Sequence, residues 1–217
     1  MNRKDVILGW IRIIFGLIIF SLGVHLTIRA NLGLAPWDCL GMGLANQTPL
    51  NYGLSMTITA IICLIIDLLM KEKIGFGTII DALFTGNCVQ VFNDLDHFPE
   101  TTNVFAGILI IIAGLTLMAV GQFFYMSAGQ CCGPRDALLV GLGKRLSFLP
   151  IGAVLVILYG TVLLIGWLLG GPVGIGTIVT TFGSGVVMQM VFNVLKFEPR
   201  DVDHQSVFQT LNKLRSR

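Results

Sequence analysis

The chain has 217 residues, 54% of them hydrophobic and 12% charged, with a formal net charge of +2 and a mean hydropathy of +0.84. Soluble domains carry about 25% charged residues, so this composition excludes an ordinary water-soluble domain and points to an integral membrane protein. The small net charge argues against a nucleic-acid partner, and five cysteines without a CxxC motif give no disulfide framework.

The opening MNRKDVILGW is basic, as a signal peptide would be, but no short apolar region ending at a small-residue cleavage site follows. It reads as an uncleaved first span over about residues 6–30. Gly9, Gly16 and Gly23 recur every seven residues along it and form a close-packing stripe. His25 and Arg29 stand at its outer end, either as a candidate gate with Asp38 partnering Arg29 or as side chains that snorkel to the headgroups. The segment NLGLAPWDCLGMGL follows. A half-helix over 36–46 would be about 15 Å long, half the roughly 30 Å of hydrocarbon, so it is not expected to cross. Pro36 suits its first turn, where a missing N–H costs nothing.

A second span is expected over about 50–70, with Asp67 near its end beside Lys71 as a solvated or paired interface residue. A Gly-x-Gly-Thr turn then opens a third span, about 76–93, where Thr78, Asp81, Thr85 and Cys88 recur on one side. Residues 101–134 and 146–195 contain no Asp, Glu, Lys or Arg. They supply spans over about 103–128, 150–169 and 174–195, with a second proline-led half-helix over 134–145. Residues 198–217 read as a polar cytoplasmic tail, with Val207, Leu211 and Leu214 on one face of an amphipathic helix.

The later elements repeat the earlier ones. Gly107, Gly114 and Gly121 follow Gly9, Gly16 and Gly23 at an offset of 98, which persists through Pro36/Pro134, Asp38/Asp136 and Gly43/Gly141. With one residue inserted it continues through Gly75/Gly174, Thr78/Thr177 and Gln90/Gln189. The expected organisation is a first repeat over 1–97, a second over 98–197 and a tail over 198–217. Three spans per repeat is an odd number, so the second copy enters the membrane inverted. The fold class expected is thus an all-α membrane protein of about six transmembrane helices, a 3+3 inverted repeat with one short Pro-led half-helix in each copy. Arg3, Lys4, Lys71, Lys73, Arg135, Lys144, Arg145 and Lys196 then fall on the inner side with both termini, and Arg29 is the exception to the positive-inside pattern.

The segments RANLGLAPWDCL, GFGTIIDALFTG, GPRDALLVGLGKR and IGWLLGGPVGIGTI resemble the bacterial YczE/YyaS/YitT membrane proteins over nearly the whole chain, most closely the YczE branch. The resemblance implies a multi-pass protein of the bacterial plasma (inner) membrane whose biochemical activity is poorly defined. Members of that family often carry a Glu in the fifth span where this chain has Tyr159. A proton-coupling role for that Glu therefore does not carry over.

Inverted repeats with interrupted helices are the layout of many secondary transporters, in which half-helix N-termini point at an anionic substrate group. The candidate substrate-binding residues are Pro36, Trp37 and Asp38 in the first copy, Gly133, Pro134, Arg135 and Asp136 in the second, and Thr78, Asp81 and Thr177 in the third spans. Arg135 offers a planar five-donor fork to a carboxylate or phosphate. Trp37 offers a ring for an apolar face or a cation, and Asp81 is the most deeply placed acid. Pro-x-Asp is also good capping chemistry, and Trp an ordinary interfacial anchor. Gln90 and Gln189 are expected to hydrogen-bond each other as an interhelical pair. No HExxH, serine elbow or phosphate loop points to an enzyme, and His25, His97 and His204 are too scattered for a metal site. No cofactor is expected. The partners expected are the lipid bilayer and a small molecule, with a homo-oligomer left open. The function expected is transport or export of a small organic anion or zwitterion. The alternatives are a non-transporting scaffold or regulator, and a substrate-binding subunit of a larger importer.

Overall fold

In a hydrocarbon setting each backbone N–H and C=O must find its partner within its own segment, which leaves the helix as the natural form for such a chain. The fold is that of a computed structural model, described for residues 3–72, 74–95, 101–129 and 133–197, with the side chains of 3–7 and 151 left aside. The Cys131–Cys132 pair and the tail 198–217 lie outside the described residues. Among the described residues there are eight helices and no strand: α1 (Arg3–Arg29), α2 (Pro36–Gln47), α3 (Tyr52–Leu69), α4 (Phe76–Leu95), α5 (Val104–Ser127), α6 (Pro134–Arg145), α7 (Ile151–Leu168) and α8 (Ile175–Val194).

Local sequence explains where several of these helices begin. Asn51 accepts the Leu54 N–H at 2.8 Å ahead of α3, and Asn103 accepts the N–H groups of Phe105 and Ala106 ahead of α5. Pro36 and Pro134 open α2 and α6, each 12 residues long. At 1.5 Å per residue these are about 18 Å, too short to cross.

Four helices, α1, α3, α5 and α8, are long and apolar enough to cross a membrane. Of the other two expected spans, α7 has 18 residues, as many as α3, and carries no Asp, Glu, Lys or Arg. α4 has 20 residues but carries Asp81, Asn87, Gln90, Asn93 and Asp94 along its length.

The most extensive packing is between α1 and α5. They cross where glycine meets glycine: a Cβ on Gly16 would lie 2.7 Å from the Gly121 carbonyl oxygen, and one on Gly23 would lie 2.6 Å from that of Gly114. Because the earlier glycine of α1 faces the later one of α5, the two helices run antiparallel. Gly9 has open space around it, so the contact uses the other two glycines of the stripe. α4 packs against α1, and α8 against α5.

The short helices are held between the others, α2 against α3 and α7, α6 against α3, α7 and α4. Their C-terminal ends are tied to loops. Gln47 Nε2 donates to the Leu169 carbonyl at 3.2 Å and Asn46 Nδ2 to that of Gly170 at 3.0 Å. Correspondingly, Arg145 reaches the Met70 carbonyl at 3.5 Å, and Lys144 pairs with Glu72 at 2.5 Å. The α1–α2 loop docks on the α7–α8 loop through the backbone, with Gly176 N–H donating to Leu32 at 2.6 Å and Leu34 N–H to Pro172 at 3.1 Å. Gly33, at φ +102°, lies in that contact, where any Cβ would strike Gly174.

Replacing Gly23 or Gly121 by Val should therefore force α1 and α5 apart, at a cost of about 1–3 kcal/mol. Thermal unfolding in detergent should show a lowered midpoint for both, and an unchanged midpoint for Gly9→Val.

Candidate functional site

Proline at the first position of α2 and of α6 places the next two residues, Trp37-Asp38 and Arg135-Asp136, in a first helical turn, where N–H groups are free and the dipole is positive. The two turns meet in the interior. Trp37 and Leu138 share an apolar cluster with Cys63 of α3 and Val162 of α7, and Tyr159 packs against it. The Arg135 guanidinium carbon sits over the Trp37 ring, 5.3 Å from its centroid, within the roughly 6 Å range of a cation–π contact. Its Nη2 also approaches the Met56 sulfur at 3.9 Å.

Three carboxylates surround this guanidinium within electrostatic reach: Asp38, Asp81 and Asp136. Among the described residues, none of them forms an ion pair with it. Asp38 is 4% exposed and accepts the Tyr52 hydroxyl at 3.0 Å. Asp81 accepts the Thr85 hydroxyl, one turn along α4. The Asp136 and Asp81 carboxylates converge at the start of α6, since a Cβ on Gly133 would lie 3.2 Å from Asp136 Oδ2 and 3.4 Å from Asp81 Oδ2. A side chain there would touch Asp81 and ask the Asp136 carboxylate to give by a few tenths of an ångström. Trp37 is 7% exposed, and among the described residues its indole N–H has only the Tyr159 hydroxyl beside it, poorly aligned for a hydrogen bond.

Eight of the ten expected binding residues thus gather at one place: Pro36, Trp37, Asp38, Gly133, Pro134, Arg135 and Asp136 from the two half-helices, and Asp81 from α4. The two threonines take other positions. Thr177 Oγ1 accepts the Gly174 N–H at 3.1 Å and caps α8 against the Leu32–Gly33 loop. Thr78 is buried in the first turn of α4.

Other expectations are corrected. Gln90 and Gln189 do not bond each other: Gln90 accepts the Gly53 N–H at 3.2 Å and donates to Asp94 at 2.7 Å, whereas Gln189 donates to Asn193 at 2.9 Å. The reason is local, since each amide has an oxygen acceptor one turn along its own helix. His25, 1% exposed, is buried rather than at the headgroups, and its Nδ1 lies 2.6 Å from Asn93 Oδ1. Arg29 reaches the Asn93 carbonyl at 3.3 Å, while Asp38 takes Tyr52 instead. The end of α1 leans on α4, not on the half-helix. Asp67, expected as a solvated or paired interface residue, is 0% exposed, and among the described residues neither carboxylate oxygen has a hydrogen-bond partner.

Tyr52, Met56 and Tyr159 complete the group and were not among the expected binding residues. An aromatic or Met in an apolar span carries no local mark of such a role. Asn51 ahead of α3 is the one signal that a helix start brings Tyr52 close to the half-helix.

These helices define an all-helical membrane protein, with a polar group buried where its two short helices begin. Residues 7–193 match the model of DUF6198, a family of unknown function, and the chain belongs to that family. It is 30% identical over 193 residues to the uncharacterized membrane protein YczE of Bacillus subtilis, covering 86% of each chain. It is 30% identical over 187 residues to an uncharacterized protein of Haemophilus influenzae (84% of this chain, 83% of the relative), and 28% identical over 184 residues to the uncharacterized protein YyaS of Bacillus subtilis (83% and 90%). No solved structure matches the chain.

Two outcomes follow from these contacts. Tyr52→Phe should cost about 1 kcal/mol by leaving Asp38 without its donor, read as a lower unfolding midpoint. Asp67→Ala should leave the midpoint at or above that of the wild type, although most substitutions that cut back a buried residue cost about 0.5–3 kcal/mol. A loss of that size would mean that Asp67 has a partner.

Proposed function

We propose that this protein is a secondary transporter or exporter of a small organic anion or zwitterion, with its binding site where the two half-helices begin. The observation that carries this reading is the meeting of Trp37 and Arg135. They come from separate half-helices, occupy positions at the repeat offset, and sit in a turn whose free N–H groups and dipole favour negative charge.

The reading takes the chain as a 3+3 inverted repeat of six crossings. The antiparallel α1–α5 contact supports it, because exchanging the two halves turns the Gly16–Gly121 approach into Gly114–Gly23, which is also present. Exchange likewise turns the α2–α7 packing into α6–α3, α2–α3 into α6–α7, and α1–α4 into α5–α8, and these occur, whereas the extensive α3–α4 packing has no comparable α7–α8 counterpart among the described residues. The loop ties obey the same rule, with Gln47 on Leu169 answered by Arg145 on Met70. In this proposal the protein lies in the bacterial plasma membrane with both termini cytoplasmic, as the basic loops favour. A carrier of this kind places its site near the bilayer midplane and rocks one repeat against the other around it. It needs no cofactor and catalyses no covalent change.

The test is uptake into proteoliposomes holding purified full-length protein, with a labelled mixture of amino acids and short carboxylic acids as the probe. The proposal expects uptake above that of protein-free liposomes. Arg135→Ala should reduce it at least tenfold, since a hydrogen bond to a charged group is worth about 1.5–3 kcal/mol and about 1.4 kcal/mol is tenfold. Uptake equal to that of empty liposomes, or unchanged in Arg135→Ala, overturns the reading.

A further inference from the structure

We infer that the ligand of this site is an amino-bearing zwitterion of the amino-acid class, with a carboxylate held by Arg135 and Trp37 and an ammonium held by Asp81 and Asp136; this rests on the carrier reading above and narrows its substrate. The pattern of groups carries the first step. One guanidinium lies within electrostatic reach of three acidic side chains, two of which converge beside Gly133. A ligand that brings both an acceptor and a positive group finds a partner for each.

The placement of the groups carries the second step. The guanidinium does not pair with the carboxylates beside it; it lies over the Trp37 ring and reaches the Met56 sulfur. Its donors remain available to a ligand acceptor. Trp37, 7% exposed, adds a buried indole N–H in the same place, with only the Tyr159 hydroxyl beside it in poor geometry, a neighbour that a ligand carboxylate can replace. A ligand carboxylate satisfies both. An ammonium would not, because the guanidinium and the indole N–H only donate.

The third step is the opposite pole. Asp136 Oδ2 and Asp81 Oδ2 converge on one point beside Gly133. Asp81 already accepts from Thr85, and Asp38 is occupied by Tyr52. A primary ammonium has three donors, enough to bridge the two converging acids. Arg135 lies within electrostatic reach of both Asp81 and Asp136, so the two poles share one site. They suit a carboxylate and an amine separated by a short carbon spacer. Among the described residues no group of three metal-ligating side chains offers a competing use for the acids.

The test measures binding to the full-length protein in detergent by thermal shift and by quenching of Trp fluorescence. The probes are an equimolar mixture of the twenty protein amino acids, the same mixture N-acetylated, the corresponding amines lacking the carboxylate, and sodium chloride alone. The inference expects the free amino acids to bind and both modified mixtures to need at least tenfold higher concentration for the same shift. Asp136→Asn and Asp81→Asn should each weaken amino-acid binding at least tenfold, whereas Asp94→Asn, an exposed acid of α4 bonded to Gln90, should not. The modified probes test the same point on wild-type protein, so a variant that fails to fold does not decide the matter. Equal binding of the N-acetylated mixture overturns the amine assignment and leaves an anion carrier standing. A shift with sodium alone, or binding by none of the organic probes, overturns the inference; the carrier reading falls with it only if proteoliposome uptake is also absent.

Discussion

Two helices that touch backbone to backbone leave no room for a side chain between them, and that constraint governs this fold. α1 and α5 approach at Gly16, Gly23, Gly114 and Gly121, where an added Cβ would lie 2.6–2.7 Å from a carbonyl oxygen of the other helix. In a membrane there is no hydrophobic force to press helices together, so small residues that permit van der Waals contact take over that task. With the long helices fixed in this way, α4 and α8 pack on their sides. The half-helices are held against α3 and α7, tied down at their C-terminal ends by the bonds to Leu169, Gly170, Met70 and Glu72.

That arrangement determines where charge is tolerated. The first turns of α2 and α6 are places where an interior backbone has free N–H groups, and Asp38, Arg135 and Asp136 lie there. The two turns differ in chemistry. One presents Trp37 and Asp38, the other Arg135 and Asp136, so the group has an aromatic side and a charged side. Tyr52 neutralises part of the demand of Asp38, and Thr85 part of that of Asp81. The guanidinium lies over the Trp37 ring and reaches the Met56 sulfur, and the indole N–H has the Tyr159 hydroxyl beside it; in the proposed function these donors serve a ligand.

Much of this was legible in the sequence, and the reasons are physical. A glycine every seven residues marks a helix face that must pack closely, and proline before an acid marks a helix start. Both signals are local. The all-helical form follows from composition in the same way. Asp67 defeated a local reading because its position near the end of α3 says nothing about the elements that cover it. Neither alternative for the end of α1, a gate with Asp38 partnering Arg29 or snorkelling to the headgroups, allowed for α4, whose Asn93 meets both His25 and Arg29. Symmetry misled at Gln90 and Gln189, since in the proposed inverted repeat equivalent residues meet only where they lie on the axis relating the halves. Trp37 and Arg135 meet that condition and the glutamines do not.

The central claim is that the two halves enter the membrane in opposite senses, so that α2 and α6 begin together inside and end on opposite faces. The most direct measurement places single cysteines at Gln47 and Arg145, the last residues of those helices, in a cysteine-free chain in intact cells. A membrane-impermeant maleimide is then applied before and after permeabilisation. The account predicts that position 47 is labelled in intact cells and position 145 only after permeabilisation. Labelling of both positions from the same side would contradict it.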